Sequence, residues 1–240
     1  DAGRGGFVTR ILGVDFSGAS DAGRKIWVAE GQLSDNGALQ LSQCVPAMAL
    51  PGGGVRPEQA VPALARYVAT FADARVGCDF PFSLPRDLVT ARSWRSFALR
   101  YAAEFADADS FRAIMRSRHN AIEHKRMTDR IAGTPFNSYN LRLYRQTWWG
   151  ITGVVGPLVR AGRAVVRPQQ KLRAGKPTLI EVCAACTLKS IDLYPPYKGK
   201  EAIHRKARQR ILDHLIDRGA LAAPARSMRR LLLDNGGGGP

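Results

Sequence analysis

The sequence predicts an α/β protein built on a mixed five-stranded sheet flanked by helices. Short apolar segments bounded by turn residues recur before residue 85, which is typical of strands. From residue 86 the apolar residues recur at helical spacing, so we expect a helical insertion over about 86–162, between strands 4 and 5. With 240 residues, 45% of them hydrophobic, the chain is long enough for one large domain, which we assign to 1–240.

The first three strands form a predicted meander. Residues 8–20 (VTRILGVDFSGAS) contain an apolar run that we expect to be a strand buried on both faces. The segments 25–30 and 39–45 are the second and third strands, and Asn36-Gly37 between them is a hairpin signal. The remaining predicted elements, in order, are a helix from Pro57, a fourth strand in 75–84, helices after Ser93 and over 111–127 and 139–159, an optional edge strand at 163–167, a fifth strand in 177–188, and helices at 201–218 and 225–233.

Three carboxylates lie on these strands or at their ends. A strand buried in the core gains no stability from an acidic side chain, so these positions need another explanation. Asp15 ends the first strand, Asp79 ends the apolar run of the fourth, and Glu181 interrupts the fifth. For Asp15 alone, a turn aspartate bonded to the next backbone amides is an equally good explanation. If the three strands are neighbours, the acids converge and bind cations, share a proton or pair with basic groups. Oxygen ligands without an obligatory His or Cys favour Mg²⁺ or Mn²⁺.

The charge balance predicts a polyanionic partner such as DNA or RNA. The chain carries 36 Lys and Arg against 20 Asp and Glu, a net charge of +16, and it has no acid between Arg130 and Ile180. A solvated helix face in an arginine-rich protein is the competing explanation. Four aromatic residues in this stretch either stack bases in a groove or belong to the core, namely Tyr139, Tyr144, Trp148 and Trp149.

Signals for zinc, membranes and secretion are weak or absent. Cys183 and Cys186 form a lone C-x-x-C without the two further ligands of a structural zinc site, so we expect reduced structural cysteines. No apolar run is long enough to span a membrane, and the amino-terminal residues lack the pattern of a signal peptide. We therefore expect a cytoplasmic protein that does not engage membranes.

Five motifs in order along the chain resemble domain of unknown function family 429, a family of predicted ribonuclease H-like nucleases. They are GVDFSGA (13–19), CDFPFSLP (78–85), TPFNSYNLRLYRQTWWGI (134–151), IEVCAACTL (180–188) and YKGK (197–200). The resemblance implies the ribonuclease H-like fold and carries over Asp15, Asp79 and Glu181 as its acids. The chain departs from the family at Cys183-Ala184, where members show an aromatic or His residue and then Pro, and at 235–240, which lacks the acidic run of the final helix. Either that terminus is trimmed or one metal ligand is missing.

The function that follows is metal-assisted hydrolysis of phosphodiester bonds. Asp15 and Asp79 share Mg²⁺ or Mn²⁺ in this prediction, and Glu181 completes the ligand set. Two alternatives stay open: a catalytically silent nucleic-acid-binding protein, and an ATP-binding phosphotransferase of the actin and sugar-kinase superfamily that uses the turn after Asp15. In the nuclease prediction, the nucleic-acid backbone is positioned by the basic residues Arg118, Arg126, Arg142, Arg145 and Lys198.

Overall fold

The centre of the protein is a mixed sheet whose first half is the predicted meander. The computed structural model describes residues 9–118, 120 and 122–234, and six strands of this part of the chain form one sheet. Strands β1 (Arg10–Asp15), β2 (Trp27–Leu33) and β3 (Leu39–Pro46) pair antiparallel in sequence order. Gly37, at φ +82°, closes the hairpin between β2 and β3, as the Asn-Gly signal predicts.

The second half of the sheet is parallel. It consists of β4 (Arg75–Cys78), β5 (Val165–Arg167) and β6 (Thr178–Glu181), in the order β3-β2-β1-β4-β6-β5. Consequently β1, β4 and β6 are parallel neighbours. The predicted count of five strands is wrong, because β5 is a separate edge strand paired with β6. Its sequence signal is faint, since only three residues pair before Pro168 ends the strand.

Helices fill the region between β4 and β5, where the sequence predicts an insertion. The predicted helix over 139–159 runs from Tyr144 to Arg160 and widens to a π-helical segment ahead of Pro157, which has no N–H to donate. The helices are α1 (Ala22–Lys25), α2 (Pro57–Val68), α3 (Trp94–Glu104), α4 (Ala108–Arg118), α5 (Met127–Ile131), α6 (Tyr144–Gly150), the π-helical segment (Ile151–Val155), α7 (Gly156–Arg160), α8 (Ala184–Ser190), α9 (Ala202–Asp217) and α10 (Arg226–Asp234), with 3-10 turns at Ala47–Ala49 and Arg86–Leu88.

One hydrophobic core joins a face of the sheet to α2 and to the helical insertion. Leu12 and Val14 of β1 and Val76 of β4 are buried in the same cluster as Leu64 of α2. Burial of such side chains is the main favourable term in folding. The insertion contributes several of the large, fully buried side chains of this cluster, namely Tyr101, Phe105, Phe111, Met115 and Tyr139.

The opposite face of the sheet is open near its centre in the described part of the chain. Gly13 and Asp15 are exposed, and a Cβ at Gly13 would meet no atom within 4 Å. Ile180 of β6 is also exposed. The prediction that the first strand is buried on both faces is therefore wrong. Its residues alternate between core and solvent, as in a sheet covered on one side.

The C-terminal helices pack near the β3 edge of the sheet. Leu212 of α9 and Leu233 of α10 form a small second cluster with Leu221, against Leu39 and Leu41 of β3. Among the helices that the structure describes, none is both long and apolar enough to cross a lipid bilayer. Residues 235–240, where the family's acidic run is missing, lie outside the described residues, as does the start of the segment 8–20.

Candidate active site

Asp15, Asp79 and Glu181 lie at the carboxyl ends of three neighbouring parallel strands. Asp15 is the last residue of β1, Asp79 directly follows β4, and Glu181 is the last residue of β6. The backbone N–H of Asp79 donates to the C=O of Val14 at 2.9 Å, which fixes Asp79 beside the end of β1. Parallel pairing therefore brings to one edge of the sheet the three acids that the sequence singles out.

Asp15 and Asp79 form a pair of carboxylates that repel each other. Burial raises the pKa of Asp79 to about 6; the Asp15 carboxylate adds to the rise, Lys198 opposes it, and Glu181 contributes a smaller increase. Partial desolvation also raises the pKa of Asp15, and Lys198 again opposes the rise. Burial thus makes both carboxylates costly to ionise, with Lys198 as the opposing charge, and a bound cation would lower that cost.

A buried arginine engages Glu181 instead. Arg126 donates from Nη2 to Oε1 of Glu181 at 2.5 Å and from Nη1 to Oε2 at 2.9 Å, and the N–H of Phe82 donates to Oε2 at 2.8 Å. Arg126 also pairs with Asp129 at 2.6 Å, and only 9% of its side chain is exposed. Arg126, which the sequence predicts to contact nucleic acid, is therefore paired inside the protein, where it holds the Glu181 and Asp129 carboxylates. In the described residues, no group of three His, Cys, Asp or Glu side chains is arranged to hold a metal ion.

Two more of the predicted nucleic-acid contacts pair with carboxylates of the protein. Nη2 of Arg118 lies 2.8 Å from Oε1 of Glu104. Nη2 of the exposed Arg145 lies 3.5 Å from the Asp109 carboxylate, and its Nε donates to the hydroxyl of Tyr144 at 2.8 Å. Both acids come from outside the acid-free stretch of sequence. A stretch of sequence that contains no acids can therefore still lie next to acids from other parts of the chain once the protein is folded.

The last two predicted contacts, Arg142 and Lys198, occupy different surroundings. Arg142 lies over the ring of Phe136, with its Cζ 5.3 Å from the ring centroid. Lys198 lies near enough to the acid pair for its charge to lower the pKa of both Asp15 and Asp79. Of the five cations, Lys198 is thus the one that the structure brings to the acid pair.

Sequence reasoning missed the residue that holds Lys198 in place, the buried Arg208 of α9. Its Nη1 donates to the C=O of Tyr197 at 2.6 Å and to the C=O of Gly199 at 2.9 Å, the two residues that flank Lys198. Its Nε donates to the C=O of Leu233 at 2.7 Å. Gly199 has φ +140°, which favours glycine. These contacts fix the turn that presents Lys198, and Arg208 carries no local signal among the basic residues around it.

The start of α6 supports the two turns that carry Asp15 and Asp79. A Cβ at Gly18 would lie 2.4 Å from the carbonyl carbon of Arg145, so only glycine fits there. Nε2 of Gln146 donates to the C=O of Asp79. Sequence reasoning missed Gln146, whose only signal is its place in the motif at 134–151. Because α6 closes against the turn at Gly18, this turn does not offer the open phosphate loop that the ATP alternative needs.

The aromatic residues of the acid-free stretch belong to the core. Tyr139 and Tyr144 are buried, and Trp148 and Trp149 are partly buried against the main cluster. The indole N–H of Trp148 donates to the C=O of Phe105 at 3.0 Å. Of the two explanations that the sequence leaves open, the structure favours the core over base stacking.

Cys183 and Cys186 are half-buried free thiols at the start of α8. The N–H of Cys186 donates to Sγ of Cys183 at 3.3 Å, so Cys183 caps the helix. Burial and the neighbouring Cys186 thiol raise the pKa of Cys183 to about 11, which keeps it protonated at neutral pH. Cys183 thus lies beyond the end of β6 as a helix cap, rather than on the buried core strand where the sequence predicts it.

Comparisons with known proteins add no family, relative or fold. No family model matches the chain, and neither a curated protein nor a solved structure matches it significantly. The resemblance to family 429 therefore depends on the five motifs. Function has to be argued from the geometry and chemistry of the site.

Proposed function

We propose that this protein is a cytoplasmic, divalent-metal-dependent nuclease of the ribonuclease H-like class. The observation that carries the proposal is the Asp15–Asp79 pair, which lies at the ends of adjacent parallel strands and has raised pKa values. The class is supported by the succession of an antiparallel meander, an acid-bearing parallel strand, helices and a further acid-bearing parallel strand.

The acid pair fits a hard divalent cation. Mg²⁺ and Mn²⁺ prefer carboxylate oxygens and keep several waters of their own, so two protein carboxylates suffice. Burial, and then the Asp15 charge, raises the pKa of Asp79 to about 6, and a bound cation would offset both costs. Asp15 is exposed, which leaves the pair open to solvent. Glu181 does not fit as a full ligand, because Arg126 and the Phe82 N–H occupy its oxygens.

Asp15 and Asp79 would hold the divalent cation, which would supply an activated water and neutralise charge on the phosphoryl group. Lys198, fixed by Arg208 through the flanking carbonyls, attracts a phosphate oxygen of the substrate to the acid pair. Gln146 anchors the backbone of Asp79, so that its carboxylate keeps its place.

A specific observation favours a second candidate, a catalytically silent nucleic-acid-binding protein. The Glu181 carboxylate is held by Arg126, so the three acids do not form a ready metal site. In that case Asp15 and Asp79 remain as an acid pair without chemistry, and the net charge of +16 accounts for binding. Salt-sensitive binding without metal-dependent cleavage identifies this candidate.

The test is cleavage of a panel of labelled DNA and RNA substrates, single-stranded, duplex and hybrid, with Mg²⁺, Mn²⁺ or EDTA. We expect metal-dependent cleavage by the wild type and loss of at least about 100-fold in Asp15→Asn and Asp79→Asn. Binding of Mn²⁺, followed by the paramagnetic signal of the free ion, provides a readout independent of activity. Asp35→Asn, at an exposed turn acid, is the matched control. No cleavage of any substrate, or full activity in Asp15→Asn, would falsify the proposal.

A further inference from the structure

We propose that an exposed cationic strip, which runs from just before β5 to the connection from β5 to β6, binds the phosphate backbone of the substrate nucleic acid. This inference rests on the proposed nuclease function. We call the four residues the β5 strip; they are Arg163, Arg167, Lys171 and Arg173, and all four are exposed.

Among the described residues, the cations of the β5 strip have no carboxylate partners. In the part of the chain that the structure describes, none of the four lies within ion-pair distance of an Asp or Glu. Arg118, Arg126 and Arg145 all have such partners. A cation without an internal partner neutralises a phosphate and releases its counterion without first breaking an ion pair. Affinity for nucleic acid is therefore expected from the strip.

The strip begins before β5 at Arg163, and at Arg167 it reaches the edge of the sheet that carries the acids. Arg167, the last residue of β5, is in register with Ile180, the residue before Glu181. Strand β6 separates β5 from β4, whose end carries Asp79. With about 4.8 Å between neighbouring strands, β5 lies about 10 Å from β4. That span corresponds to about three nucleotide steps at the 3.4 Å rise of a duplex strand. One nucleic-acid strand therefore reaches both the β5 strip and the acid pair.

The edge of β5 is closed to another β-strand, which removes the main rival mode of recognition. Gln170 accepts from the N–H of Val166 through Oε1 at 2.9 Å, and its own N–H donates to the C=O of Val166 at 2.8 Å. Nη1 of Arg167 donates to the C=O of Gln170 at 3.1 Å, which tethers the turn. Asp73 touches the connection only through the N–H of Gly175, near the start of β4. The side of β5 that faces away from β6 therefore presents charged side chains to a partner, rather than free backbone groups for strand pairing.

The test is the salt dependence of duplex DNA and RNA–DNA hybrid binding in EDTA, where no cleavage occurs, measured by fluorescence anisotropy. The variant carries Arg167→Gln, Lys171→Gln and Arg173→Gln. Three lost phosphate contacts lower the slope of log K against log salt by about 2.7, so raising salt from 50 to 200 mM weakens the variant about 40-fold less than the wild type. The matched control removes the same charge from exposed positions on and after α9 through Lys206→Gln, Arg210→Gln and Arg218→Gln.

The inference is overturned if the β5 variant keeps the wild-type slope, or if the control loses as much. It is also overturned if poly-glutamate competes as well as DNA of equal charge, since the strip is then a general surface for anions. Hydrolysis of a small phosphodiester such as bis-p-nitrophenyl phosphate separates the two proposals. Loss of that activity in Asp15→Asn with an unchanged DNA slope in the β5 variant would refute the strip alone. Thermal unfolding checks that both variants fold, and we expect shifts typical of surface substitutions.

Discussion

The substitution Asp79→Asn is expected to stabilise the protein at alkaline pH when no divalent cation is present. Asp79 is half-buried next to Asp15, and its pKa is about 6 against an ordinary value of 3.8. The folded protein therefore binds the proton more tightly than the unfolded chain does. Stability falls as the pH rises from about 4, and the loss is complete once the pH exceeds the folded pKa of about 6. Asparagine keeps the shape of the side chain and removes this cost.

The magnitude follows from the size of the pKa shift. A rise of about 2 units, at 1.36 kcal/mol per unit, corresponds to about 3 kcal/mol of unfavourable free energy in the ionised, folded wild type. For a domain of this size, each kcal/mol moves the unfolding temperature by about 2–4 °C. We therefore expect Asp79→Asn to unfold roughly 6–12 °C above the wild type near pH 8 in EDTA, and at about the same temperature near pH 4.

The assay is thermal and urea unfolding of both proteins between about pH 4 and pH 8.5, with EDTA and then with Mn²⁺. Asp107→Asn is the control of opposite sign, because Asp107 Oδ1 accepts from the N–H of Ser110 at 2.7 Å and this bond lowers the pKa of Asp107. That variant should lose stability at neutral pH. The electrostatic reasoning is refuted if Asp79→Asn is less stable than the wild type near pH 8. It is also refuted if the difference in free energy of unfolding between the two proteins is the same at every pH.

Mn²⁺ connects this measurement with the proposed function. A cation that binds the folded wild type stabilises it by RT ln(1 + [L]/Kd), whereas the Asn variant lacks one of the two carboxylates. The advantage of Asp79→Asn in EDTA should therefore shrink or reverse as Mn²⁺ is added. If Mn²⁺ leaves the difference unchanged, the acid pair does not bind the metal, and the silent nucleic-acid-binding alternative gains.

Three further predictions concern the supports of the site. Arg126→Met leaves the Asp129 and Glu181 carboxylates without their partner and should lower the free energy of unfolding in urea by about 3–5 kcal/mol. Arg145→Ala, which removes an exposed ion pair, is the control and should cost about 0–1 kcal/mol. Equal costs for the two variants would contradict the argument from burial. Gly18→Ala places a Cβ 2.4 Å from the backbone of α6 and should cost about 1–3 kcal/mol, whereas an unchanged unfolding curve would show that the turn has room. Lys198→Ala should raise the pKa of Asp79 further, which NMR titration of the carboxyl carbon measures; a lower value would place the ammonium elsewhere.

The positions of the three acids could be predicted because their signal is local. In Asp15 and Asp79 a carboxylate follows directly on a short apolar run, and strand ends of parallel neighbours meet at one edge of a sheet. The meander is equally local, since Asn36-Gly37 specifies its hairpin. What the acids pair with is not local. Arg126 is 55 residues from Glu181 in sequence, and nothing near either residue marks the contact.

Charge shows the same division between what the sequence specifies and what the fold specifies. A net charge of +16 requires that some cations lack carboxylate partners, but it does not identify them. Arg145, from the acid-free stretch, lies on α6, which packs against the acid-bearing α4, so its charge is met by Asp109. Arg167 lies on an edge strand whose single neighbour is β6. An edge strand has protein on one side only. In the described part of the chain the strip around β5 accordingly forms no ion pair with a carboxylate, and its residue Arg167 lies at the sheet edge that carries the acids.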